Sequence, residues 1–134
     1  MAVIESTVLI DGDAAGPALV LDSPISFWGG VDPRTGSITQ ALHPQNGVVI
    51  GGAILVVPAF IGSSSSSAVM LELLHAGLAP AGIITGARDA ILCLGILVAD
   101  EMNWPTIPVV ECEISVFKTG QHTAIHKDGR VVLE

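Results

Sequence analysis

The chain has 134 residues, and its 13 acidic and 5 basic side chains give a formal net charge of −8. This length suits one domain spanning residues 1–134, and the shortage of basic side chains argues against nucleic-acid binding. Although 50% of the residues are hydrophobic, the two longest apolar runs, 48–61 and 90–99, are interrupted by glycine and proline or flanked by acidic residues. Both are shorter than the roughly 20 residues that a membrane span needs.

The predicted elements are extended at both ends of the chain and alternate in type in the middle. Strands are predicted where apolar and β-branched residues lie between turn signals, at 3–10, 18–21, 37–39, 53–57, 81–85, 108–110, 114–117, 123–126 and 131–133. Helices are predicted at 67–76 and from 88 or 89 to 102. Residues 11–16 are expected to form a turn, and residues 24–36 an ordered loop.

The order of these elements indicates an α/β fold. The strand-helix-strand-helix-strand order in the middle implies parallel pairing with right-handed crossovers. The flanking strands are expected to pair antiparallel. We therefore predict a β/β/α three-layer domain with a mixed sheet, and a closed or barrel-like sheet is the alternative.

The cysteines and histidines have no spacing typical of a metal site. Cys93 and Cys112 lie in apolar surroundings, and no basic-then-apolar leader precedes the domain, so we expect a reduced cytoplasmic protein. His122 and His126 are four residues apart, but the surrounding residues suggest extended structure, in which their rings would stand roughly 13 Å apart. No metal site is therefore predicted, and His43 is expected at the surface of a turn.

Low charge also suggests a partner. Charged residues make up 13% of the chain, about half the usual share. A compact and robust domain would explain this composition, and so would a permanent partner that covers apolar surface; we expect the partner, because the function that the resemblance described below implies is incomplete on this chain alone.

Two loops are candidates for function. Gly62 and the five serines that follow it connect a predicted strand to a helix. The free N–H groups and the dipole at a helix start would stabilise an anion or a deprotonated serine there. Serine is also a preferred N-cap, so a purely structural role remains open.

The second candidate is the loop that contains Trp28, Gly29, Gly30 and Asp32. Two glycines beside aromatic residues permit close backbone approach to a ligand or another subunit. The structural alternative is a turn that packs Trp28 onto the core. Asp32, which precedes Pro33, is expected to orient the loop through side-chain hydrogen bonds.

These motifs together resemble a known family. The run from Pro24 to Gly36, the His43-Pro44 pair, Gly47 and Gly62-Ser63 are similar, in this order, to the small subunit or swivel domain of the aconitase X enzymes. The resemblance implies a swivelling domain that works with a large subunit as a hydro-lyase. It also implies that the large subunit holds an iron–sulfur cluster, whose iron would polarise the leaving hydroxyl group of a small hydroxy acid.

The resemblance also implies roles for the serine loop. Ordinary aconitases have Gly-Ser-Ser-Arg in the corresponding loop, and the first serine removes a proton from carbon. Ser63 would be this base, and Ser64 and Gly62 would support it. Ser65 replaces the arginine that binds a carboxylate, which argues against citrate.

Two substrates are known for the group that this chain resembles. They are cis-3-hydroxy-L-proline, which is converted to a pyrroline carboxylate, and a mevalonate phosphate. The Phe27-Trp28-Gly29-Gly30 form and the lack of Lys or Arg beside the serine loop favour hydroxyproline. Swivel-type domains also serve as phosphohistidine carriers, and an anion-binding module is a further alternative.

Overall fold

The computed structural model describes residues 1–134 and contains eight strands and three helical segments. The strands are β1 (Ala2–Glu5), β2 (Thr7–Ile10), β3 (Ala14–Val20), β4 (Ile54–Val57), β5 (Gly82–Thr85), β6 (Val109–Glu111), β7 (His122–Ile125) and β8 (Arg130–Leu133). The helical segments are the single turn α1 (Phe27–Gly30) and the helices α2 (Ser66–Ala76) and α3 (Ile91–Glu101).

All eight strands form one mixed sheet in the order β1-β8-β7-β3-β4-β5-β6-β2. The four central strands, from β3 to β6, pair in parallel. The other pairs are antiparallel. The predicted combination of a parallel centre and antiparallel flanks is therefore confirmed.

The amino-terminal segment closes this sheet into a barrel. β1 and β2 follow one another along the chain, yet they occupy opposite ends of the strand order. Ser6 joins them, and both its backbone N–H and its hydroxyl donate to the carbonyl of Gly129, at 3.2 and 2.6 Å. The sheet is thus nearly closed, which confirms the α/β class and the barrel-like form that the sequence left as an alternative.

The sheet separates two hydrophobic cores. Successive residues of β4 point to opposite faces, as strand geometry requires: Leu55 and Val57 join one core, and Ile54 and Val56 join the other. The first core contains the buried hydrophobic side chains of α2 and α3. Because all four residues of β4 are 0% exposed, this strand lies at the centre of the fold.

Helix ends follow the expected chemistry. α2 ends at Gly77, whose φ of 74° places it in the left-handed region, where glycine is favoured. At the start of α3, the Asp89 carboxylate accepts the backbone N–H of Leu92 at 2.8 Å. None of the helices combines the length and hydrophobicity of a bilayer-spanning helix.

The structure corrects several local predictions. Residues 114–117 form a turn closed by Phe117 N–H donating to the Ile114 carbonyl at 3.2 Å, not a strand. The predicted turn at 11–16 is wrong at its second half, because β3 begins at Ala14. The short strand at 37–39 makes only isolated bridges.

His43 is also buried rather than at the surface. Its Nδ1 accepts the N–H of Gln45 at 3.0 Å, and its Nε2 lies 3.2 Å from the Ser23 carbonyl. These two contacts connect the ring to two loop segments, so its role is structural.

Candidate active site

The serine loop lies beyond the carboxyl end of β4, where α2 begins. The loop before α3 lies beyond the carboxyl end of β5, the parallel neighbour of β4. In α/β sheets, this edge is where ligands usually bind. The topology therefore brings two loops that are far apart in sequence to the same edge of the sheet.

Between these loops is a small cleft with a volume of about 80 Å³. Its lining combines apolar side chains with two serines and one carboxylate: Phe27, Phe60, Ile61, Gly62, Ser63, Ser66, Asp89, Ile91 and Leu92. Pockets that enclose a small ligand typically measure about 300–1,000 Å³. The cleft is therefore too small to enclose a ligand by itself.

The five serines of the loop have different environments. Ser63 is exposed, and its Oγ accepts the N–H of Ser65 at 3.0 Å. Ser64 is also exposed, and its hydroxyl makes no hydrogen bond within the chain. Ser66 is only 4% exposed, whereas Ser67 Oγ donates to the Ser64 carbonyl at 2.8 Å. Only Ser63 and Ser66 line the cleft.

Three successive backbone N–H groups of this loop are free. Those of Gly62, Ser63 and Ser64 donate to no acceptor within the chain, whereas the following N–H groups, from Ser65 and Ser66, are bonded to Ser63. The first N–H groups of α2, from Ser66, Ser67 and Ala68, already donate to loop carbonyls, but successive free N–H groups in a turn can also bind an anion. An anionic oxygen near Ser63 would therefore be stabilised.

The Trp28 loop is attached to the serine loop by several hydrogen bonds. Trp28 N–H donates to Ser66 Oγ at 3.0 Å. Ile61 N–H donates to the Ile25 carbonyl at 3.0 Å, and Ile25 N–H donates to that of Ala59 at 3.3 Å. The two motifs that the sequence identified separately therefore form one structural unit.

Gly62 is the point of closest approach between these loops. Its φ is +100°, and a Cβ at this position would overlap Ser26 Oγ and lie 2.8 Å from Ser26 Cβ. Ser26 has little room to move, since its N–H donates to Gln40 Oε1 at 2.8 Å and its Oγ donates to the Trp28 carbonyl at 3.1 Å. Only glycine fits here without displacing the Trp28 loop.

The other predicted site residues lie beside the cleft. Trp28, Gly29 and Asp32 line a neighbouring open groove of about 540 Å³, and the Trp28 side chain is 59% exposed. Gly30 is buried, and a Cβ there would lie 3.0 Å from Gln40 Oε1.

Asp32 orients its own loop, as expected. Its carboxylate accepts the backbone N–H of Arg34 at 2.9 Å and the guanidinium at 3.3 and 3.4 Å. These hydrogen bonds, with the backbone bond contributing most, lower the pKa of Asp32. The carboxylate is therefore ionised at neutral pH and unsuited to act as an acid.

Sequence reasoning missed Ser66, Phe60 and Asp89 as residues of the cleft. In the sequence, residue 89 stood out only as a possible start of the second predicted helix, yet Asp89 is the sole charged side chain of the cleft. The parallel order of β4 and β5 was the signal that could have placed it near Ser63, because it brings the loops after both strands to one edge.

The residues of this chain do not fit a metal centre. No three His, Cys, Asp or Glu side chains are grouped so that they could hold a metal ion. The two cysteines belong to different cores. Burial, with a smaller contribution from Asp89, raises the pKa of Cys93 to about 11, and burial also raises that of Cys112, so the thiolate ligands that a metal needs are disfavoured.

Comparison with known proteins gives consistent results. Residues 3–133 match the aconitase X swivel domain family. The chain is 40% identical over 114 residues to cis-3-hydroxy-L-proline dehydratase of Hypocrea jecorina, where the match covers 85% of this chain and 19% of the relative. This chain thus spans only about a fifth of that relative's length.

Two further relatives are close to this chain in size. The phosphomevalonate dehydratase small subunit of Thermococcus gammatolerans is 38% identical, and the match covers 90% of this chain and 88% of the relative. The crystal structure of Thermococcus kodakaraensis aconitase X (holo-form) superimposes with a TM-score of 0.91 at 34% identity, covering 100% of this chain and 99% of that one.

Proposed function

This chain belongs to the aconitase X swivel domain family, and we propose that it is the small subunit of a dehydratase whose active site is completed by a large subunit. The resemblance seen in the sequence is thereby confirmed at the level of the family. The cleft supports the need for a partner, because about 80 Å³ is too little to enclose a substrate. The exposed Trp28 beside the cleft supports it as well, since aromatic side chains of this kind anchor protein interfaces.

Within this assembly, residues 1–134 would act as one swivel domain and Ser63 as the base. A serine hydroxyl becomes basic enough to take a proton from carbon only if its alkoxide is stabilised. The N–H of Ser65, which already donates to Ser63 Oγ, and the start of α2 supply such stabilisation. This hydrogen bond at the edge of the cleft is the observation that carries the assignment.

In the reaction, Ser63 Oγ would take the proton α to the substrate carboxylate. The C–O bond at the neighbouring carbon breaks and releases the hydroxyl group, which together with the proton taken by Ser63 makes up one molecule of water, so that the base is regenerated. We place the iron–sulfur cluster of this family in the large subunit, because the cysteines here do not fit one, and no step on this chain depends on it. Closure of the two subunits would exclude water from the cleft.

We further propose cis-3-hydroxy-L-proline as the substrate and pyrroline-2-carboxylate as its product. Hydroxyproline carries a ring ammonium group, which the carboxylate of Asp89 in the cleft would attract. A phosphate would be repelled by the same carboxylate, and no Lys or Arg lines the cleft. The charge of the cleft therefore favours an amino acid over a phosphorylated substrate.

Mevalonate 5-phosphate is the second candidate. The free N–H groups of Gly62, Ser63 and Ser64 favour it, because successive free N–H groups in a turn can bind phosphate. A phosphohistidine carrier is less well supported, since no histidine lines the cleft.

The test is to co-express the chain with the large subunit and to measure dehydration of both substrates. Replacing Ser63 by Ala should lower kcat about 10²–10⁴-fold, the usual contribution of a general base, while the two subunits still co-purify. Ser67→Ala is the matched control, because it removes a hydroxyl group from the same turn but not from the cleft. Near-normal turnover of the Ser63 variant would refute its assignment as the base.

A further inference from the structure

Ser66 differs from the other four serines because its side chain is enclosed. The residue is 4% exposed and lines the cleft together with Ser63. Its Oγ accepts one hydrogen bond, from Trp28 N–H at 3.0 Å. Its own hydroxyl proton is donated to no group of the chain, although buried donors normally have an acceptor.

The hydrogen bond from Trp28 links parts of the chain that are 38 residues apart. Trp28 and Gly29 do not have helical dihedral angles, so α1 has little regular structure of its own to hold it. The N–H of Trp28 is bound by Ser66, and its carbonyl accepts the Ser26 hydroxyl at 3.1 Å. Ser66 therefore holds the backbone N–H of Trp28, and Ser26 holds its backbone carbonyl.

We propose that Ser66 both positions the Trp28 loop and binds the substrate of the dehydratase, an inference that rests on the function proposed above. Its oxygen holds the Trp28 loop against the serine loop, which places the exposed indole ring beside the cleft. Its unused hydroxyl proton is directed to an anionic oxygen of the substrate in the cleft. One side chain thus links the surface that meets the large subunit to the place where the substrate binds.

The structural part of this proposal is tested on the chain by itself. Ser66→Ala removes the acceptor for Trp28 N–H, so amide hydrogen exchange at Trp28, followed by NMR, should become about fivefold faster. Ser67→Ala removes a neighbouring hydroxyl that bonds only within its own turn, and it should leave Trp28 unchanged. Ser66→Thr restores the oxygen and should restore the protection.

The functional part is tested with the large subunit present. Loss of a hydrogen bond to an anionic group should raise KM about tenfold, with kcat little changed, because the contact exists before and during the reaction. Ser63→Ala should produce the opposite pattern, a fall in kcat at nearly constant KM. Ser66→Thr should return KM towards the value of the unmodified complex.

Two results would overturn the proposal. One is unchanged Trp28 exchange and unchanged KM in the Ser66→Ala variant. The other is an equal change in the Ser67→Ala variant, which would mean that any serine of the turn has this effect. If the unmodified complex dehydrates neither substrate, the proposed function fails, whereas Trp28 exchange still decides whether Ser66 positions the loop.

Discussion

Gly62→Ala is the substitution whose cost can be worked out most directly from the structure. With φ at +100°, a residue other than glycine would be destabilised by about 1–2 kcal/mol. The added Cβ would also lie 2.8 Å from Ser26 Cβ, and overpacking of this kind costs about 1–3 kcal/mol. We therefore expect Gly62→Ala to lower the free energy of unfolding by about 2–5 kcal/mol.

Gly47→Ala provides a matched control for the backbone contribution. Gly47 has a similar φ of +91°, but a Cβ there would meet nothing within 4 Å. This variant should lose only the backbone part, about 1–2 kcal/mol. The difference between the two variants therefore measures the steric contact between the serine loop and the Trp28 loop.

The assay is urea unfolding of each variant, followed by circular dichroism. Ser26→Gly in the Gly62→Ala background removes the side chain that blocks the new methyl group, so it should recover part of the stability, as a double-mutant cycle would measure. If Gly62→Ala and Gly47→Ala prove equally destabilising, the serine loop and the Trp28 loop are not in tight contact.

Two further predictions concern charge. Asp89→Asn keeps a side-chain oxygen that can accept the Leu92 N–H, but it removes the carboxylate from the cleft, so KM for hydroxyproline should rise about tenfold. Thermal stability should be nearly unchanged, and an unchanged KM would contradict the substrate preference. Cys93 has a pKa raised to about 11, so its alkylation by iodoacetamide, followed by mass spectrometry, should be slow at pH 8 in the folded chain and fast in urea. The rate should increase only as the pH approaches 11, because the thiolate is the reactive form; rapid labelling of the folded chain at pH 8 would show that Cys93 is not shielded.

The central strands of the sheet could be predicted because their sequence pattern matches the environment that they have in the fold. The β4 sequence Ile-Leu-Val-Val is apolar at every position and is buried on both faces, so its pattern predicts a central parallel strand. The start of β3 was missed because Ala14 to Gly16 resemble a turn in composition. Their extended form depends on pairing with β7, about 110 residues later, which local pattern cannot reveal.

The same limit explains what was missed in the candidate site. Gly62 and Ser63 were predicted from their place at a strand-to-helix junction, which is local information. Ser66 and Asp89 owe their positions to packing between loops distant in sequence. The turn at 114–117 was mistaken for a strand because Ile114 and Phe117 are apolar. These side chains pack against the second core from a turn outside the sheet, not from a strand within it.

Closure of the barrel by β1 has a consequence for how this domain can be joined to a larger protein. Ala2 and Leu133 are direct partners in antiparallel strands, so both ends of the domain leave from the same place. A covalent connection through either end would therefore start at the same point on the barrel. A fused polypeptide and a pair of separate chains can therefore present the same face of this domain to a larger partner.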